Sequence, residues 1–82
     1  NPFNPTTALK YDVAQSGRVT ITIYNIQGKQ VRTLYDDHRT RGQYVISWDG
    51  CDTNGLLVST GVYFIQLQSA SFQKTVKVLF LK

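Results

Sequence analysis

Apolar residues recur at every second position in short bursts, and Gly, Asn, Asp or Ser interrupts each burst. Such alternation sets one side of an extended chain against a core and the other in water. Leu9, Tyr11 and Val13, separated by Lys10 and Asp12, predict a first strand over residues 7–13. Gln15-Ser16-Gly17 ends it. Val19, Ile21 and Ile23 alternate with Thr20, Thr22 and Tyr24, the clearest half-buried strand in the chain. A turn around Gly28 follows, then a strand over 30–35 with Val31 and Leu34 as its apolar positions. Residues 36–41 are mostly charged and read as a loop closed by Gly42.

Tyr44, Ile46 and Trp48 share one face of a strand over 43–48. In the following DGCDTNG, Asn54 and Gly55 suit a tight turn because both tolerate positive φ. Residues 56–58 form a short strand or edge segment. Gly61 opens a long strand with Tyr63, Ile65 and Leu67 on one face and Val62, Phe64 and Gln66 on the other. Residues 69–71 turn the chain, and a last strand over 73–81 carries Val76, Val78 and Phe80 on one face. Residues 1–6, with Pro2 and Pro5, read as an extended arrival segment, leaving 7–82 as the domain. About seven short strands with turn signals every 8–12 residues predict an all-β, immunoglobulin-like antiparallel sandwich. Its expected core is Val19, Ile21, Ile23, Ile46, Trp48, Ile65 and Val78.

The chemistry available is sparse. A chain of 82 residues holds one domain with a thin core and little room for a substrate cavity. All five acidic residues are aspartates, and nine Lys and Arg give a net charge of +4. The cations are dispersed, whereas nucleic-acid surfaces concentrate them, so no nucleic-acid partner is expected. The longest apolar run, Val78 to Leu81, is too short to span a bilayer. Cys51 is the single cysteine, which excludes an intrachain disulfide. His38, the single histidine, sits among charged residues and reads as solvated, with no partner to make it a catalytic base. Neither a zinc site nor a carboxylate pair across a cleft can be assembled from this inventory. The expectation is a non-enzyme without a cofactor.

Two weaker readings remain. Asp49, Asp52 and Asn54 offer closely spaced oxygen ligands for calcium, but no bidentate glutamate accompanies them, and capping of turn amides explains them better. Tyr24, Tyr35, Tyr44, Trp48 and Tyr63 could stack on sugar rings if exposed, yet several share stripes with Ile46, Ile65 and Leu67 and so read as core.

Read in order, NPFNPTT, VTITIYNIQGKQVRTL, WDGCDTNG, STGVYF and the final KVLFLK resemble the type A C-terminal sorting domain of the type IX secretion system, over almost the whole chain. The middle, from IYNIQGKQVRTL through WDGCDTNG to GVYF, also resembles the immunoglobulin-like domain of the flagellar hook-capping protein. The opening and closing segments favour the sorting domain. That resemblance implies a non-catalytic module that directs an upstream cargo protein across the outer membrane to the cell surface. It implies as partners the outer-membrane secretion machinery, a sortase-like protease and the cargo domain of the same precursor, with polysaccharide or lipopolysaccharide association. The implied location is secreted or cell-surface, reached through the periplasm, and a start at Asn1 reads as a fragment of a longer precursor.

By the same resemblance, Gly61, Val62, Tyr63, Lys77 and Lys82 are the recognition residues. Each has a structural reading beside it. Gly61 supplies an unusual backbone angle where its strand begins, Val62 and Tyr63 pack, and the lysines keep an edge strand soluble. An edge position for the last strand would also leave its backbone free to extend a partner's sheet. The alternative function is a structural spacer or carbohydrate-binding module appended to an extracellular enzyme.

Overall fold

A computed structural model describes residues 7–70 and 72–82; the arrival segment expected over 1–6 lies outside them. Period-two alternation produces six strands: β1 (Thr7–Val13), β2 (Gly17–Asn25), β3 (Gln30–Arg39), β4 (Gly42–Trp48), β5 (Gly61–Ser69) and β6 (Gln73–Phe80). All pairings are antiparallel. β1 and β4 form a two-stranded sheet, and the other four form a sheet in the order β3-β2-β5-β6. The all-β, immunoglobulin-like fold expected from the sequence is present, with six strands among the described residues where about seven were expected.

The inward stripes meet as their spacing requires. Val19, Ile21 and Ile23 of β2 lie beside Ile65 and Leu67 of β5, all fully buried. Trp48 closes the core from β4 and is 1% exposed, with Tyr63 and Phe80 beside it, and Tyr11 and Val13 of β1 belong to the same buried cluster. Burying one such aliphatic side chain stabilises the fold by about 1.5–3 kcal/mol. Two expected core members, Ile46 and Val78, are only half-buried. Val78 sits on a strand with a neighbour on one side only, and Ile46 on one of just two strands in its sheet.

Two further expectations are corrected. Residues 36–39 continue β3 to Arg39 instead of looping. A strand ladder is made by backbone groups, so a charged run joins it when its side chains stay in water; Asp36 does so, pairing with Arg18 of β2 at 2.8 Å. The segment over 56–58 adds one bridge, Leu57 to Cys51, and a bond from the Val58 N–H to the Gly50 carbonyl at 2.9 Å, and is not a strand.

Candidate functional site

The richest polar constellation lies where β2 turns into β3 and the 49–60 segment crosses from one sheet to the other. The chain makes the same five-residue turn twice there. Asn25 Oδ1 accepts the N–H groups of Gln27 (3.0 Å) and Lys29 (2.9 Å), the Gly28 N–H reaches the Asn25 carbonyl (3.0 Å), and Gly28 has φ +82°. Asp52 Oδ1 accepts those of Asn54 (2.9 Å) and Leu56 (3.0 Å), the Gly55 N–H reaches the Asp52 carbonyl (3.0 Å), and Gly55 has φ +81°. Each turn needs a short acceptor side chain at its first position and, at its fourth, a residue free to take positive φ. Asn54, expected to share the positive φ, does not.

The second turn docks on the strand that follows the first. The Val31 carbonyl accepts both the N–H (3.2 Å) and the hydroxyl (3.1 Å) of Thr53. Asp49 Oδ1 takes the Arg32 guanidinium at 2.9 Å and the Cys51 N–H at 3.0 Å. The amide of Cys51, helped by the charge of Arg32, holds the Asp49 carboxyl below its ordinary range. Partial burial and then the Asp49 charge push the Cys51 thiol up. Trp48 Nε1 donates to the Cys51 carbonyl at 2.9 Å, and its ring lies 5.3 Å from Tyr63 and 5.5 Å from Phe80. Gly50 has φ +82°, and the Phe80 ring occupies the place a side chain would take.

The calcium candidates are therefore engaged within the protein. Asp49 and Asp52 hold backbone amides and Arg32, and Asn54 enters through its N–H. Among the described residues, no group of three His, Cys, Asp or Glu converges to hold a metal ion.

Gly61, Val62 and Tyr63 open β5, Lys77 lies on the neighbouring β6, and Lys82 follows it. Tyr63 is buried and donates its hydroxyl to the Ser59 carbonyl at 2.7 Å. Val62 and Lys77 lie on the opposite, outer face of the larger sheet, opposite Leu79 and Phe64 respectively. Lys82 follows β6, and its backbone N–H reaches Thr60 Oγ1 at 3.0 Å. Gly61 takes no positive φ and a side chain there would meet open space, so the unusual-angle reading is corrected.

His38 is exposed on β3, with its backbone N–H bonded to Asp37 and its carbonyl to Tyr35. Four of the five aromatics are committed to internal contacts. Trp48 and Tyr63 are core, and Tyr35 and Tyr44 sandwich the Arg39 guanidinium at 4.2 and 4.4 Å. Sequence reasoning missed Arg39, which links β3 to β4 across the sheets. It lies in a polar run between Asp36 and Arg41, and nothing local marks it as stacked.

A family model described as the FlgD Ig-like domain matches residues 4–72. No curated protein matches. The fold is similar to that of FlgD from P. aeruginosa, with TM-score 0.71 and 22% identity over 92% of this chain and 58% of that one. It is likewise similar to FlgD from Xanthomonas campestris, with TM-score 0.69 and 23% identity over 93% of this chain and 56% of that one. The chain thus spans under three-fifths of either protein's length.

The family match overturns the sorting-domain expectation and the partners that came with it: secretion machinery, sortase-like protease, upstream cargo and polysaccharide or lipopolysaccharide. The spacer and carbohydrate-binding alternatives are corrected with it. The preference for a sorting domain rested on the two ends of the chain. The family model matches the shared middle and runs beyond it on both sides, over residues 4–72. By that match, over most of its length, this chain belongs to the family of FlgD Ig-like domains.

Proposed function

We propose that this domain is a non-catalytic structural unit of a flagellar hook-capping protein, acting by presenting a rigid surface to assembling partners. The family match over residues 4–72 carries this reading. The solved structure from Xanthomonas campestris is described as giving insight into hook capping essential for flagellar assembly. The chemistry agrees, since the carboxylates of Asp49 and Asp52 are engaged by backbone amides and by Arg32. The secreted or cell-surface location expected from the sequence stands as part of the proposal, tested by protease accessibility on intact cells.

The decisive experiment removes residues 7–82 in frame from the parent gene and inspects flagella by electron microscopy. The expected result is cells without normal hooks, restored by the intact gene. Normal hooks and motility in the deletion strain, with the truncated protein present, would refute the assignment.

A further inference from the structure

The larger sheet ends in two edges that are finished differently. Along β3, register shifts opposite Ile21/Thr22 and Ile23/Tyr24 break the ladder. Thr53 caps the Val31 carbonyl, and Arg39 is pinned between Tyr35 and Tyr44. β6 has none of this. Every residue from Gln73 to Phe80 pairs with β5 without a shift, and among the described residues no strand lies on the other side. A regular strand with one open side is a template for a further strand.

The side chains select which strand can add. Residues 53–82 contain Lys74, Lys77 and Lys82 and no acidic residue. All three lysines are exposed. The ion pairs among the described residues are Arg18–Asp36 and Arg32–Asp49, so these lysines are left without a counter-charge. Apolar surface accompanies them on both faces. Leu79 is 62% exposed on the outer side, Leu81 just past the strand is 58% exposed, and Val76 and Val78 are only half covered on the inner side. An incoming strand therefore gains apolar contact above and below the sheet and meets unpaired positive charge.

A second copy fits poorly, because edge-to-edge pairing of two β6 strands sets lysine near lysine, and like charges on paired strands repel. An anionic membrane also fits poorly, since lipid-binding basic segments cluster about 4–8 cations and this strand has fewer, spread along its length. We propose that β6 is a docking edge for an extended, largely apolar segment of a partner polypeptide with acidic residues three positions apart, one to meet Lys74 on the inner face and one to meet Lys77 on the outer, added to the sheet as a further strand. This rests on the domain's role as an assembly unit and names the chemistry of the partner.

The test uses the 82-residue chain labelled with nitrogen-15. Two capped Val-rich peptides the length of β6 are titrated in, one carrying Glu and the other Lys at two positions three apart (the Glu–Val and Lys–Val peptides). The Glu–Val peptide is expected to shift the amides of Gln73–Phe80 and slow their hydrogen exchange, and the Lys–Val peptide to leave them unchanged. The double variant Lys74→Glu, Lys77→Glu, with an unchanged melting curve, should bind the Glu–Val peptide about ten-fold less tightly. Equal binding of both peptides overturns the proposal. So do shifts confined to Tyr24, Val62 and Phe64, a concentration-dependent dimer through β6, or response to phosphatidylserine vesicles without response to the Glu–Val peptide. Because the domain is tested alone, loss of peptide binding and absence of a hook phenotype are separate failures.

Discussion

β3 and β6 border the same sheet, yet the molecule treats them as different kinds of surface. β3 is the longer strand and the more charged, and it pairs with register shifts. Over its first residues lies the 49–58 segment, fastened by Thr53 to Val31 and by Asp49 to Arg32. β6 is shorter and regular; its inner face packs on the core through Val78 and Phe80, and no described strand pairs with its free edge. A sheet edge is thus not defined by the strand that forms it. What decides its character is whether another part of the chain has satisfied its backbone and buried its side chains.

Trp48→Ala strikes the covered side hardest. The ring fills the core and its Nε1 holds the Cys51 carbonyl, so the core and the cover over β3 fail together. The expected loss in urea unfolding is about 3–5 kcal/mol, comparable to the whole stability of a domain at roughly 0.05–0.15 kcal/mol per residue. A loss below about 1 kcal/mol would mean that the segment holds β3 without the indole.

Gly50→Ala comes next, at about 2–4 kcal/mol. The substitution forces a side chain into positive φ and into the Phe80 ring at once. Phe80 ends β6, so faster amide exchange is expected at the open edge as well as under the cover. Exchange altered at the cover alone would show the two edges to be uncoupled.

Thr53→Val sharpens the comparison without damaging the core. It deletes the hydroxyl bond to the Val31 carbonyl and leaves the backbone bond. About 1 kcal/mol should be lost, with faster amide exchange over the first residues of β3 and none of it on β6.

The smallest effect belongs to Asp49→Asn. The folded carboxyl titrates below its unfolded value, so its contribution is complete above about pH 3.9 and fades as the pH falls through the folded value. The stability difference between wild type and variant should stay below about 1 kcal/mol at neutral pH, because the pair is largely solvated. It should close in strong acid. A difference that persists there would assign the effect to packing and not to charge.

The part of this legible in the sequence was the part governed by neighbours in the chain. Val19, Ile21 and Ile23, and likewise Tyr63, Ile65 and Leu67, were readable as core stripes because side chains alternate across any strand. The doubled turn was half-legible. Gly28 and the DGCDTNG run marked turns, but the shared Asx geometry appears only when the hydrogen bonds are seen. The calcium candidates were picked by proximity, and folding engages Asp49 and Asp52 internally. Val31 and Leu34, three positions apart, both pack on the core because register shifts break strict alternation, which no period-two template anticipates.

By itself, then, the sequence determined that this is an all-β domain, which faces of its strands are apolar, where most of the chain reversals fall and that its chemistry is sparse. Those properties follow from stereochemistry acting over a few residues. Only the tertiary structure decided that 36–39 is strand, that Arg39 stacks between tyrosines of two sheets, that Phe80 fills the space left by Gly50, and that β3 is covered while β6 is bare. Each of these depends on groups brought together by packing, either from distant parts of the chain or by the pairing of whole strands. A local pattern records which side chains avoid water, and the order of strands in the sheet settles which of them succeed.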